Sequence, residues 1–173
     1  MPAWSVRRLA AVDEKLIDEL ATVLIDCVEG GATVGFMVPI TRDRALSFWR
    51  RIAQGVAEGK RVLLIAEDES GVCGTVQLIL DLPDNQPHRA DLSKMLVHRR
   101  SRREGLAAEL MRAAEAAALE SGRTLLVLDA VTDGDAARLY ERLGWVRVGE
   151  IPEYALMPEG GLCGTTYYYR QLR

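Results

Sequence analysis

Residues 95–111, MLVHRRSRREGLAAELM, join a short apolar run to a helix of small residues through a basic loop. The first amides of a helix have no acceptor within the helix and carry the positive end of its dipole. Gly105 has no Cβ and Ala107 carries only a methyl group, so a phosphate can approach the amides at this helix start closely. Arg102 and Arg103 add positive charge beside them. The segment therefore predicts a diphosphate-binding loop.

This loop differs from the commoner phosphate-binding motifs. Residues 102–107, RREGLA, fit the pattern [Q/R]-x-x-G-x-[G/A], whereas neither G-x-x-x-x-G-K-[ST] nor G-x-G-x-x-G is present. The strand predicted upstream, over residues 90–97, has a slip in its apolar phase. The step from Leu92 to Met95 is three residues, and the step from Met95 to Val97 is two. A β-bulge would absorb the odd residue.

The remaining patterns predict one α/β domain over residues 1–173, with a mixed sheet covered by helices on both faces. Asp13 and Thr41 are expected to cap the first two helices. Two further helices are predicted over residues 105–121 and 135–143. Strands are predicted over residues 4–9, 61–67, 72–80, 90–97, 124–130, 145–151 and 163–172. Loops are predicted over residues 32–40, 81–88 and 152–162.

Composition limits the classes of protein that this chain can represent. It has 173 residues, of which 49% are hydrophobic and 27% charged, which excludes a disordered or membrane-spanning chain. Its start, MPAWSVRRLAAVDEK, lacks the apolar run of a secretory signal, so we expect a cytoplasmic protein without membrane partners. The net charge of −3 argues against nucleic acid as a partner. Three dispersed cysteines and two histidines predict neither a disulfide framework nor a metal site.

The chain resembles the GNAT family of N-acetyltransferases. Residues 97–107, VHRRSRREGLA, match the family's V-x-x-x-x-R-x-x-G-x-[G/A] segment, and ARLYERLGW, residues 137–145, contains its L-Y-x-x-x-G-[FW] pattern. The match extends over most of the chain and is firmest over residues 61–148. More loosely, residues 149–172 resemble tabtoxin-resistance-type acetyltransferases. The resemblance implies a largely antiparallel, twisted, seven-stranded sheet in the order β1-α1-α2-β2-β3-β4-α3-β5-α4-β6-β7.

The resemblance also implies acetyl-CoA as cosubstrate, with no metal, and assigns residues to it. The splayed, bulged fourth strand would bind the thioester and pantetheine arm, with the Met95 amide facing the thioester carbonyl and Val97 pairing with the arm. Asp135 stands where many members have an asparagine that contacts the arm. Tyr140 falls at the family's position for the acid that reprotonates the departing thiolate, and ordinary pKa values near 8.5 and 10 make that transfer feasible without large tuning. The cofactor-binding residues implied are Met95, Leu96, Val97, Arg102, Arg103, Glu104, Gly105, Leu106, Ala107 and Asp135.

A carboxylate near the cleft would attract a cationic amine and accept its proton. Asp129, at the end of the fifth strand, and Asp91, at the start of the fourth, are the candidates, because each lies at a strand end among apolar residues. Glu153 is a weaker third candidate. Any of these acids can instead be a cap or a solvated turn residue. Arg99 and Arg100 form either a solvated charge run, which we favour, or a contact to the 3′-phosphate of CoA.

These observations predict an N-acetyltransferase that acts on a primary amine of a small molecule, with antibiotic or toxin detoxification among its roles. Attack would be direct within a ternary complex, because no cysteine is placed for a covalent acetyl intermediate. Two alternatives stay open: a catalytically silent acyl-CoA-binding regulatory module, and a nucleic-acid-binding domain built on residues 98–103, HRRSRR, which the acidic balance disfavours. Homodimers are common among proteins of this kind.

Overall fold

The computed structural model describes residues 3–173 and consists of a seven-stranded sheet with four α-helices. A short 3₁₀ helix, Arg99–Ser101, follows the fourth strand. The strands are β1 (Ser5–Arg8), β2 (Arg61–Asp68), β3 (Gly71–Ile79), β4 (Arg89–Val97), β5 (Leu125–Val131), β6 (Val146–Leu156) and β7 (Leu162–Gln171). The helices are α1 (Glu14–Glu29), α2 (Arg42–Ala57), α3 (Leu106–Glu120) and α4 (Asp135–Arg142).

The first two helices begin at the residues that the sequence predicts. The Asp13 carboxylate accepts a hydrogen bond from the Leu16 amide at 2.9 Å, and the Thr41 hydroxyl accepts one from the Arg44 amide at 3.2 Å. Each cap satisfies an amide that the helix cannot pair internally. No helix within residues 3–173 combines the length and the apolar character needed to cross a bilayer.

The sheet has the order β1-β2-β3-β4-β5-β7-β6, and its pairs are antiparallel except for β4 with β5. This confirms the mixed, largely antiparallel sheet predicted from the sequence. One core lies between the sheet and α1 with α2, and it includes Leu63, Ile65 and Trp49. The other lies on the opposite face, beneath α3, and it includes Leu110 and Leu126. We call these the α1/α2 face and the α3 face.

Strands β4 and β5 pair only over a short stretch and then separate. Their partners are Arg89 with Leu125, Ala90 with Leu126, and Asp91 with Val127. Beyond Asp91 and Val127, the ends of both strands have no ladder to one another. The separation leaves an open wedge in the sheet between the ends of β4 and β5.

The bulge expected in β4 is confirmed and lies beside this wedge. Gln77 of β3 pairs with Ser93, whereas Thr75 pairs with Leu96, so Lys94 and Met95 face one residue of β3 instead of two. Lys94 has a φ of 52°, which is uncommon for a residue with a side chain. The bulge therefore redirects the Lys94 side chain.

The prediction of a loop over residues 152–162 is wrong. Strand β6 continues to Leu156, and the chain turns only over residues 157–161 before β7. A second bulge, between Ile151 and Ala155, lets the strand pass Pro152 and resume pairing, with Glu153 at a φ of 52°. Proline is tolerated at bulges and edge strands because its missing N–H costs no ladder bond there.

Candidate active site

The loop that leads into α3 presents a row of free backbone donors. The first helical hydrogen bond runs from the Glu109 amide to the Gly105 carbonyl, at 3.2 Å. Within residues 3–173, the six amides of residues 103–108 have no acceptor, and no side chain caps the helix. Arg103 and Gly105 have left-handed φ values of 63° and 81°, and these turn the backbone into the loop.

This loop fits a diphosphate. A Cβ built on Gly105 would have no neighbour within 4 Å, so open space lies where a ligand would approach the amides. The side chain of Leu106 is buried in the α3 core, and its amide is the part available to a ligand. Arg103 and Glu104 are exposed. The guanidinium of Arg102 folds back onto the end of β4, where its Nε donates to the Val97 carbonyl at 3.1 Å.

The basic residues before this loop, Arg99 and Arg100, are exposed, as expected for a solvated run, and both are ion-paired. Arg99 bonds the Asp26 carboxylate at 2.9 Å, and Arg100 bonds Asp68 at 3.1 Å. Burial alone would raise the pKa of Asp26, but hydrogen bonds from the Arg99 backbone and guanidinium and the charge of His98 outweigh it and lower that pKa. These partners balance the charges of Arg99 and Arg100, which disfavours a nucleic-acid-binding surface built on residues 98–103.

Tyr140 of α4 lies on the α3 face, and its ring packs against Trp145 and Tyr168 with centroids 6.0 and 6.1 Å away. The residue is 5% exposed, and its hydroxyl has no hydrogen-bond partner within residues 3–173. Burial and, secondarily, the charge of Asp129 raise the pKa of Tyr140 well above its ordinary value. Burial therefore opposes proton donation, because a raised pKa makes the phenol a weaker acid while keeping it protonated.

The two candidate bases lie on the α1/α2 face beside the wedge. Asp91 is the register partner of Val127, and Asp129 is two residues further along β5, so the two carboxylates project from the same side of the sheet. Asp91 forms an ion pair with Arg89. Asp129 is exposed and accepts a hydrogen bond from the Thr165 hydroxyl at 2.8 Å. Asp129 is thus the acid whose charge is not balanced by a neighbouring arginine.

Two tyrosines extend this side of the wedge, and sequence reasoning did not find them. Tyr167 of β7 is the register partner of Asp129, and its hydroxyl lies 3.1 Å from that of Tyr154 of β6. This hydrogen bond, together with burial and the nearby acids, raises the pKa of Tyr167 to about 12. The alternation of side chains along β7 could have indicated that Tyr167 shares a face with Thr165. The sequence could not have shown that β6 extends far enough to bring Tyr154 to that face.

The apolar loop of residues 32–40 closes another side of this region. Phe36 packs edge-on against Phe48 of α2, with centroids 5.2 Å apart. The Val38 amide donates to the Pro158 carbonyl at 3.0 Å, so the loop is fastened to the β6–β7 turn. The aromatic pair therefore forms an apolar wall near the wedge.

The structure also gives the positions of the other residues that the sequence predicts for the site. Asp135 begins α4 with its side chain exposed and ion-paired to Arg138. Glu153 occupies the exposed bulge of β6. Met95 and Val97 are partly buried against the α3 core, whereas Leu96 is buried on the α1/α2 face. No group of three His, Cys, Asp or Glu side chains among residues 3–173 is arranged to hold a metal ion.

A family model described as an acetyltransferase (GNAT) domain matches residues 59–147, which is half of the chain and contains β4, the loop and Tyr140. The chain belongs to the GNAT acetyltransferase family. Acetyl-CoA is the acetyl donor of this family, and the free amides and open wedge described above suit its diphosphate and its arm.

Solved structures share the whole fold. The yncA protein of Salmonella typhimurium, determined with its cofactor acetyl-CoA, is 18% identical with a TM-score of 0.79, over 99% of this chain and 95% of that one. A GCN5-related N-acetyltransferase from Kribbella flavida is 23% identical with a TM-score of 0.78, over 98% of both chains. A ribosomal-protein-alanine N-acetyltransferase from Brucella melitensis is 18% identical with a TM-score of 0.79, over 97% of this chain and 99% of that one.

Proposed function

We propose that this protein transfers an acetyl group from acetyl-CoA to a primary amine of a small molecule. The observation that carries the proposal is the row of six unpaired amides at residues 103–108, directly beside a sheet that opens after Asp91 and Val127. A diphosphate on those amides leaves the thioester end of the molecule free to enter the wedge. The structure of yncA with acetyl-CoA, on the same fold, supports this use of the site.

The backbone of the loop and of β4 would bind and orient the donor. The amides of residues 103–108 would hold the two phosphates through charge-assisted hydrogen bonds, which are stronger than neutral ones. The Met95 amide, next to the bulge, would stabilise the negative charge that develops on the thioester oxygen. In other enzymes the loss of one such donor costs about 2.7–4 kcal/mol of transition-state stabilisation.

Asp129 would accept the proton of the incoming ammonium group, directly or through water. It lies beside the wedge and pairs with no arginine in the described part of the chain, and the Thr165 hydroxyl donates to one of its oxygens at 2.8 Å. Asp91 is the weaker candidate, since Arg89 already balances its charge. A carboxylate also attracts the cationic amine before its proton is lost.

Tyr140 would donate its hydroxyl proton to the departing thiolate. Its raised pKa keeps the phenol protonated across the physiological range. It also makes complete proton transfer less favourable than with an ordinary tyrosine. The absence of a competing partner within residues 3–173 leaves the hydroxyl available for this contact.

Direct attack by the amine agrees with where the cysteines lie. Cys27 and Cys73 are buried, and burial raises the pKa of both thiols, which disfavours the nucleophilic thiolate. Cys163 lies on β7, where its thiol donates to the Ala155 carbonyl at 3.4 Å. Neither Cys27 nor Cys73 therefore offers an activated thiolate.

A panel of amines tests the proposal, with release of the CoA thiol as the readout. The panel includes amino acids, polyamines, aminoglycoside and toxin amines, and peptides with a free N-terminus. We expect at least one small amine to give release that depends on Asp129 and Tyr140. Tight acetyl-CoA binding without release for any amine would instead identify a silent acyl-CoA-binding module.

A further inference from the structure

Three hydrogen-bond donors on the α1/α2 face have no acidic partner among residues 3–173. Gln77 is completely buried, and its amide nitrogen has no acceptor within residues 3–173. The Arg61 guanidinium donates to the other end of that amide, the Gln77 carbonyl oxygen, at 2.6 Å. Lys94 follows Ser93, the register partner of Gln77, and its ammonium is near enough to Arg61 for the two charges to repel. An unsatisfied buried donor is costly, so a site of this kind favours an acceptor.

The β4 bulge directs Lys94 toward α2. Its ammonium lies 5.9 Å from the centroid of the Phe48 ring, and a Cβ on Gly35 would be 3.9 Å from it. No carboxylate within residues 3–173 lies within 4.0 Å of Lys94 or of Arg61. Burial lowers the pKa of Lys94, the charge of Asp129 acts in the opposite direction, and the charge of Arg61 lowers it further. An anion placed between Lys94 and Arg61 would offset both the burial of the Lys94 ammonium and its repulsion by Arg61.

The two candidate bases, Asp91 and Asp129, differ in their partners. Asp91 is held by Arg89, whereas Asp129 acts on Lys94 only at a distance longer than an ion pair. The region thus has an acidic end at Asp129, next to the wedge, and a basic end at Lys94 and Arg61. The apolar Phe36–Phe48 pair lies beside the basic end.

We propose that the acceptor is an amino acid, whose carboxylate binds Lys94 together with Arg61 while its ammonium group faces Asp129. This proposal rests on the proposed function and specifies the substrate class. The Phe36–Phe48 wall favours an apolar side chain on that amino acid. The orphaned Gln77 amide supplies a neutral donor at the basic end.

Matched pairs of acceptors with and without the carboxylate test this proposal. The pairs are L-phenylalanine with 2-phenylethylamine, and L-leucine with 3-methylbutylamine. We expect kcat/KM to be about 10- to 100-fold higher for the amino acid of the better pair, because a charge-assisted hydrogen bond is lost with the carboxylate. We expect Lys94→Met to remove this preference by raising the KM of the amino acid, with little change for the plain amine, and Lys94→Arg to retain part of it.

Lys60→Met is the control, since Lys60 is exposed and paired with Glu58 at 2.9 Å. It should leave both members of each pair unchanged. Equal kcat/KM for an amino acid and its amine would overturn the inference while the N-acetyltransferase function stands. If neither is acetylated, calorimetric titration of L-phenylalanine and L-leucine into the CoA complex decides the inference: binding that Lys94→Met abolishes supports it, and no binding overturns it. Failure to bind acetyl-CoA itself would refute the proposed function instead.

Discussion

Asp91 of β4 and Val127 of β5 are the last register partners between these two strands. Asp129 and the β4 bulge, to which we give chemical roles, lie just beyond this pair. Asp129 follows two residues later on β5, and the bulge at Lys94 and Met95 follows three residues later on β4. The end of the parallel ladder therefore sets the position of the site.

Substitution of Gly105 by valine should weaken acetyl-CoA binding by about 10- to 100-fold or more, measured by calorimetry. A side chain at this position would occupy the open space in front of the amides and weaken charge-assisted bonds worth roughly 1.5–3 kcal/mol. The positive φ of 81° adds a backbone cost of about 1–2 kcal/mol to folding.

Gly122 is a matched control for this change. It lies beyond the other end of α3, with a φ of 74°, and a Cβ at this position would also meet nothing within 4 Å. Gly122→Val should therefore cost similar stability and leave acetyl-CoA affinity intact. Equal affinity in both variants would show that the diphosphate binds elsewhere.

Tyr140→Phe should lower kcat by about 10²- to 10⁴-fold, the usual range for loss of a general acid, with the KM for acetyl-CoA nearly unchanged. Tyr168→Phe is the comparison, because its ring belongs to the same aromatic cluster and its hydroxyl bonds Glu141 at 3.0 Å. Steady-state kinetics that gave both variants the same kcat would remove Tyr140 from the mechanism.

Asp129→Asn should reduce kcat/KM by about 10²-fold, because the amide cannot accept the ammonium proton. The loss should shrink for an acceptor amine that is largely neutral at the assay pH. Asp91→Asn should have a smaller effect, since Arg89 already pairs with that carboxylate. A larger loss in Asp91→Asn than in Asp129→Asn would reverse the assignment of the base.

Asp26→Asn should lower the free energy of unfolding by about 1–2 kcal/mol at neutral pH, as expected for the loss of a partly buried charge-assisted hydrogen bond. The folded-state pKa of Asp26 lies below its ordinary value of 3.8, so its contribution is present above that value and is lost as the pH falls through the folded-state pKa. Urea unfolding of wild type and variant between pH 7 and pH 3 measures this difference.

The difference in free energy of unfolding between wild type and Asp26→Asn should be constant near neutral pH and should become smaller below about pH 4. Asp84→Asn, in the exposed loop after β3, should show little difference at any pH. A gap between wild type and Asp26→Asn that persists unchanged at pH 3 would contradict the ionic role of Asp26.

Much of the fold could be predicted because its signals are local. The caps at Asp13 and Thr41 and the bulge in β4 each depend on residues within a few positions of one another. Helix caps and turns of this kind can be predicted from a single sequence. The extension of β6 past Pro152 was missed because proline normally ends a strand, and only pairing with β7 restores it.

The chemistry that sequence reasoning missed depends on distant partners. Arg99 pairs with Asp26, 73 residues earlier, and Arg100 with Asp68, 32 residues earlier. Lys94 belongs to the bulge that the sequence predicts, but its contact with Phe48 depends on how α2 packs on the sheet. Likewise, the raised pKa of Tyr140 results from burial among Trp145 and Tyr168 and from the charge of Asp129.

The central claim is that the amides of residues 103–108 hold a diphosphate while the opened sheet admits the thioester arm. Amide chemical shifts recorded by ¹H–¹⁵N NMR during titration with CoA, and separately with pantetheine, test it most directly. We predict that the signals of Gly105, Leu106 and Ala107 shift strongly with CoA but not with pantetheine, whereas Met95 and Val97 shift with both. Saturation with CoA that leaves the amides of residues 103–108 unperturbed would contradict the claim.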